Sequence, residues 1–301
     1  MTDEPQDLGR QDAWPCAEAA EIEIGVDVGR VRVELNDSAT EVRAEVRHDP
    51  HGDSPWEQGL TGILNWLGSA TGDSSGDPGA AAVRAAEVSW DATARRLVVR
   101  STQELPLRVV PLAVTVWAPA GSRLAVRTGA GDVTVVGRAG WAAVRTGSGV
   151  AHVDEITGSC EVTSGSGRVE LGIVGADAKI RTGSGGISVA SLGGSTQVKA
   201  GSGDVELGEV HGDLTCKTGS GDVVVADAHA GRLDLTTGSG KLRVGVHAGV
   251  AAELDLTSGS GSARSDLDVG GVAPADTPPL HIVGRTGSGD ILVTRAATAG
   301  V

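Results

Sequence analysis

Residues 181–222 read RTGSGGISVASLGGSTQVKAGSGDVELGEVHGDLTCKTGSGD. A Gly-x-Gly turn recurs in this stretch at Gly183/Gly185, Gly201/Gly203 and Gly219/Gly221, 18 residues apart each time. The same interval carries the turn upstream to Gly165/Gly167, Gly147/Gly149 and Gly129/Gly131. Downstream, copies at Gly238/Gly240, Gly259/Gly261 and Gly287/Gly289 follow after 19, 21 and 28 residues. Such regularity is the mark of a repeat architecture. Between turns, apolar residues alternate with polar ones, as at Ile187/Val189, Val205/Leu207 and Val223/Val225 after the glycines. The same alternation precedes them at Ala178/Ile180, Thr196/Val198 and Leu214/Cys216. Period two describes a strand with one buried face, and β-branched side chains favour the pleated backbone. Neither piece is long enough for a buried helix. Two short strands and two turns per unit make one coil of an all-β parallel β-solenoid (β-helix) of about 18 residues per coil. The expectation is nine coils stacked in chain order, each hydrogen-bonded to the one before at ~4.8 Å. The glycines would sit where backbone is crowded or φ is positive. The residues before them (Thr128, Thr146, Ser164, Thr182 and Thr218) would stack into a hydroxyl ladder.

Composition agrees with thin, repetitive structure. The 301 residues include 46 Gly and six Trp but no Tyr or Phe, so the core must be built from Val, Leu, Ile and Ala. A net charge of −14 argues against nucleic acid and anionic lipid as partners. Three widely spaced cysteines (Cys16, Cys160 and Cys216) do not make a disulfide framework. No run of 18 apolar residues offers a transmembrane segment, and the first twenty residues carry five acids where a secretory signal would be apolar. The expected location is cytoplasmic, with the cell surface reached only through an export route the sequence does not display.

The organisation expected is a disordered acidic tail over 1–20, an N-terminal β cap over 21–105, solenoid repeats over 106–296 and a short tail over 297–301. Alternation around Val28-Gly29-Arg30 and Asn36-Asp37 predicts three strands between 21 and 48, with more over 85–100 and 107–118. A Gly/Ser-rich insertion at 51–82 interrupts the cap. Within it Trp56, Leu60, Ile63, Leu64 and Leu67 fall at i, i+4, i+7, i+8 and i+11, one face of a short helix. That helix reads either as a plug on the solenoid's end or as a docking element for a partner or membrane surface.

Chemistry is sparse. There is no nucleophile elbow, phosphate-binding loop, paired-cysteine zinc signature or HExxH. Cys160 and Cys216 fall in inward columns and read as small core residues. His48, Asp49, His51 and Asp53 are metal-ligand types, but in a loop they read as solvated. The Asp after the second glycine gives way to Val150, Arg168, Gly186 and Lys241 in other coils, which argues against a calcium roll. No cofactor or metal is expected. One column stands out: Arg127, Arg145, Arg181, Lys199 and Lys217, with Arg285 equivalent in the last unit. Stacked at strand spacing, neighbouring like charges cost on the order of 1 kcal/mol even in water. Across the turn lie Asp132, Glu170, Asp204, Glu206, Asp222 and Asp290. The bland reading is a basic stripe neutralised by these acids. The functional reading is a linear binding site for an anionic polymer or an acidic protein.

Several passages resemble the bacterial "putative adhesin" β-strand-repeat family, a domain of unknown function, in its actinobacterial branch. They are VTVWAPAGSRLAVRTGAGDVTV at 114–135, VGVHAGVAAELDLTSGSG at 244–261, RSDLD at 264–268 and RTGSGDILVTRA at 285–296. The resemblance spans roughly 21–48 and 83–296. It implies a β-helical fold and brings no catalytic residues. The leading reading is a non-catalytic binding or scaffold protein presenting side-chain ladders to a protein or polymer. A cell-surface adhesin is the alternative, and a β-helix carbohydrate-active enzyme using Asp204 and Glu206 is a second.

Overall fold

The computed structural model describes residues 9–49, 77–267 and 280–297. These fall into two compact units, one comprising residues up to 139 with 144–150 and the other 140–143 with 151 onward.

The second unit is a parallel β-solenoid. Each coil gives one strand to sheet A and one to sheet B. Sheet A runs through Ala151–Ile156, Val169–Val174, Ile187–Leu192, Val205–Val210, Val223–Ala228 and Leu242–Val246. Sheet B runs through Cys160–Ser164, Ala178–Thr182, Thr196–Ala200, Leu214–Ser220 and Arg232–Ser239. The register advances by one repeat per coil, with Ile187 opposite Val205 and Thr196 opposite Leu214. The predicted alternation therefore becomes stacked columns, and Ile180, Val198, Val205, Leu214 and Val223 are buried between the sheets.

The glycine turns are close-packed. A Cβ on Gly203 would lie 2.1 Å from the carbonyl oxygen of Gly185 in the coil beneath, and the Gly221 turn also needs φ +146°. The hydroxyl column differs from the expected ladder, because its members bond to turn carbonyls rather than to one another. Ser164 Oγ donates to Gly167 O at 2.8 Å, Thr237 Oγ1 to Gly221 O at 3.1 Å and Thr286 Oγ1 to Gly240 O at 3.0 Å. A turn carbonyl takes a donor and a buried hydroxyl has one to give, while Thr182 Oγ1 instead accepts the N–H of Gly185 at 3.0 Å.

The aspartates after the glycines are also structural. Asp204 Oδ1 accepts the backbone N–H of Asp222, and Asp222 Oδ1 accepts that of Lys241. Asp290 accepts both the N–H and the Oγ–H of Ser262, and these two bonds hold its carboxyl below the usual aspartate range. A carboxyl whose pKa is depressed by folding stabilises the fold above the unfolded value, near 4, and loses that contribution as pH falls through the folded one. Melting temperature should therefore fall below about pH 4, and the acid limb should be shallower in Asp290→Asn. Identical acid limbs in melting curves would count against this role.

The stack departs from chain order at its C-terminal end. Leu280–Ser288 and Ile291–Arg295 do not follow Ala252–Ser260 and Ala263–Ser265 as the outermost coil. They insert between that coil and the one before it. Leu233 pairs with Ile282, which pairs with Leu254, all parallel. The expected stacking of nine coils in chain order is thus corrected here. Ile282 and Leu280 are fully buried, whereas Leu254 and Leu256 are half-buried, and the outer strand is the one that carries two carboxylates, Glu253 and Asp255.

The first unit repeats this inversion at the N-terminus. Glu21–Asn36 is a single 16-residue strand that passes from sheet B to sheet A at Gly29, where φ is +124°. Its first half lies between Arg96–Arg100 and Arg123–Ala130, and its second half between Leu112–Pro119 and Val133–Ala139. Alternation splits this segment in two at Gly29 and assigns it to the cap, whereas its parallel pairing makes it a solenoid coil. Other strands of this unit pair antiparallel. Arg10–Pro15 pairs with Glu41–His48, which pairs with Leu112–Pro119, and Glu87–Asp91 pairs with Arg96–Arg100. Arg10–Pro15 lies inside the segment expected to be a disordered tail. Its Trp14 stacks on Trp90 with ring centroids 5.8 Å apart. Helix α1, Pro78–Ala85, starts at an Asp77 cap that accepts the N–H groups of Gly79 and Ala80, and it buries Ala80, Ala82 and Val83.

Candidate functional site

In the second unit the cationic column is contiguous over three strands. Arg181, Lys199 and Lys217 occupy one register position on successive sheet-B strands, with Thr163 before them and Thr236 after. Their side chains point outward because Ile180, Val198 and Cys216, one residue earlier, point in. Arg285 lies one strand beyond Thr236, set apart from the triplet by that threonine. In the first unit, Arg127 and Arg145 are exposed.

Two residues back along the same strands runs a second outward column, Glu161, Lys179, Gln197, Thr215 and Asp234. Its two acids flank the triplet rather than face it. Glu161 pairs with Lys179 at 3.4 Å and Asp234 with Arg232 at 3.1 Å, and Arg285 reaches Asp255 at 3.5 Å. Among the described residues, no carboxylate forms an ion pair with Arg181, Lys199 or Lys217. The acids that were candidates for neutralising the stripe lie elsewhere. Glu170 and Glu206 stand on sheet A, and Asp204, Asp222 and Asp290 are engaged by neighbouring coils. Arg181, Lys199 and Lys217 therefore form a row of cations at strand spacing on an otherwise neutral strip.

The other predicted residues divide as follows. Trp56, Leu60, Ile63, Leu64 and Leu67 of the candidate docking helix lie outside the described residues, as do His51 and Asp53. Asp49 is buried, and Arg30 holds it in a two-pronged ion pair at 2.5 and 2.7 Å. Cys160 and Cys216 are buried free thiols, and desolvation pushes both up to about 12. A thiol so far above neutral pH is almost never the thiolate that reacts. Both should therefore resist a disulfide-exchange reagent at pH 8 in the native chain and react fully in denaturant, as read by peptide-resolved labelling. Rapid native labelling of either would contradict the burial.

A further grouping was missed in the sequence. His211, His229 and His247 recur at the coil interval, the first two rings tilted with centroids 4.2 Å apart and the last two stacked at 3.9 Å. The same 18-residue count that found the glycines would have found them. Asp227 lies against the second and third rings.

A family model described as Toastrack DUF4097 matches residues 112–271, more than half of the chain. Among solved structures the chain is similar to a "putative cell adhesion protein" from Clostridium sporogenes. Identity is 8% over 95% of this chain and 99% of that one, and the TM-score is 0.22. It is also similar to a "putative adhesin" from Bacteroides fragilis, at 10% identity over 96% and 98% of the two chains, with a TM-score of 0.37. No match is found among curated proteins.

Proposed function

We propose that this chain, which belongs to the Toastrack DUF4097 family of unknown function, is a non-catalytic binding module whose sheet-B face holds a linear polyanion. The observation that carries this reading is the run of Arg181, Lys199 and Lys217 in one register position, with no carboxylate paired to them among the described residues. Three cations stacked at about 4.8 Å repel one another, and nothing in the packing of their strands requires them there. An extended ligand bearing sulfate, phosphate or carboxylate groups at similar intervals relieves that repulsion along the whole row. A short anion meets only one or two of the charges.

A carbohydrate-cleaving role is less well supported. Asp204, half of the acid pair such a reading would use, already accepts the N–H of Asp222. The proposal is tested by retention of the full chain on an immobilised sulfated polysaccharide, comparing the parent with Arg181→Glu/Lys199→Glu/Lys217→Glu. Loss of retention in a folded triple variant supports the reading, and unchanged retention overturns it.

A further inference from the structure

The histidine column has a chemistry of its own. His211, His229 and His247 each stand just past the end of a sheet-A strand, after Val210, Ala228 and Val246. Their backbone N–H groups donate to the carbonyls of Leu192, Val210 and Ala228, at 2.9, 2.9 and 3.0 Å. The same ladder that stacks the strands therefore stacks the rings.

A one-residue irregularity then brings a carboxylate between two of them. Arg232–Ser239 follows Leu214–Ser220 with an offset of 19, so Val223 pairs with Leu242 and Val225 with Val244. By Ala228 and Val246 the offset has returned to 18, because Ala226 and Asp227 together face the single residue Gly245. A bulge of this kind re-aims a side chain. Gly245 has no side chain to intervene, and a Cβ there would lie 2.1 Å from Ala226 O. Asp227 is thereby set beside both rings. Its Oδ2 lies 2.9 Å from His247 Nδ1 and 3.2 Å from His229 Nε2.

The second of these contacts is not a hydrogen bond. His229 Nε2 is buried and, at that angle, has no hydrogen-bond partner. Buried polar atoms are nearly always satisfied, so an orphaned imidazole nitrogen aimed at a carboxylate and a second imidazole calls for a partner. The three ligand atoms lie within 4.8 Å of one another. Tetrahedral zinc with bonds of about 2.1 Å sets its ligands roughly 3.4 Å apart, against 2.9 and 3.2 Å from Asp227 Oδ2 to the two ring nitrogens. Two imidazoles and a carboxylate suit a borderline ion, whereas calcium and magnesium prefer oxygen alone. The side chains of Asp227 and His229 are 24% and 25% exposed and that of His247 43%, which leaves a side open to water. Arg295 steadies the turn carrying the third ligand by donating to the carbonyl oxygens of His247 and Val250, at 3.2 and 2.8 Å. Glu209, one coil below in register with Asp227, adds negative charge nearby.

We propose that Asp227, His229 and His247 form a mononuclear site for a borderline divalent transition-metal ion, Zn2+ foremost, with water completing the coordination. The inference stands on this cluster alone and is independent of the polyanion reading.

The test is titration of the full-length, chelator-treated chain, carrying no histidine tag, with ZnCl2 by calorimetry and with CoCl2 by visible absorption. One Zn2+ per chain is expected at micromolar affinity or better, with the intense absorption of low-coordinate Co2+. Asp227→Asn and His229→Ala should each weaken Zn2+ by about tenfold or more and abolish the Co2+ band, whereas His281→Ala should change neither. His281 is a suitable control because its Nδ1 pairs with Glu253 on another edge of the unit. If His229→Ala loses its β-type circular dichroism, the more exposed His247→Gln carries the same expectation. No binding by the parent up to about 100 µM Zn2+ would overturn the site. So would undiminished binding in a folded Asp227→Asn or His247→Gln chain.

Discussion

A Gly203→Val chain is expected to melt roughly 6–12 °C below the parent. Gly203 is buried in the turn between two coils, and an added Cβ would fall 2.1 Å from the carbonyl oxygen of Gly185 and 2.8 Å from its carbonyl carbon. The obstacle is backbone, which cannot rotate aside as a side chain would. The coils must separate locally or the turn must distort, and overpacking of this kind costs about 3 kcal/mol. In a chain of this size each kcal/mol moves the midpoint by roughly 2–4 °C. The strain also falls on a hydrogen-bonded stack, because Gly221 makes the same approach to Gly203, with 2.4 Å from its would-be Cβ to the oxygen. Gly186 supplies the comparison. It belongs to the neighbouring turn, yet a Cβ there meets nothing nearer than Asp204 O at 3.7 Å. Gly186→Ala should melt within a degree or two of the parent. If scanning calorimetry gave the two variants equal midpoints, close approach would not be what the repeated glycines are for.

Reversing Arg181, Lys199 and Lys217 to glutamate should reduce affinity for a sulfated polysaccharide about a hundredfold or more. Each exposed charge contact contributes up to about 1 kcal/mol, and three together reach the twofold logarithmic loss before repulsion is counted. The outer two charges are about 10 Å apart at the strand level, comparable to the screening length at physiological salt, so the row acts as one site. Parent binding should weaken steeply with added salt, and any residual binding by the variant should respond much less. A variant with unaltered affinity and an unaltered salt slope would place the binding elsewhere. The three positions are outward, so the variant should keep the parent's melting temperature to within a few degrees, which separates loss of contact from loss of fold.

The coil was readable because its two constraints are local. A turn that packs on its own copy needs glycine, and a strand with one buried face needs alternation, so both recur at the repeat length. The order of the coils is not local information. Ala252–Ser260 and Leu280–Ser288 end in nearly the same letters, TSGS and RTGS, and either could follow Arg232–Ser239. The strand that takes the inner place carries no carboxylate, whereas Ala252–Ser260 carries Glu253 and Asp255. The direction of the cationic column followed from parity alone. Its lack of paired carboxylates did not, because the acids across the turn had a second use in capping the next coil's N–H groups. The histidines were legible in principle through their spacing. Asp227 was not, since its place beside them depends on a bulge opposite Gly245 that no periodicity announces.

Because Ile291–Arg295 pairs with Leu242–Val246 on one side and Ala263–Ser265 on the other, a force applied to the C-terminus meets two ladders in shear. Glu21–Asn36 is gripped the same way in the first unit. Ala252–Ser260, the strand that covers Leu280–Ser288, is laddered on that one side among the described residues, so it should detach before the strand beneath it.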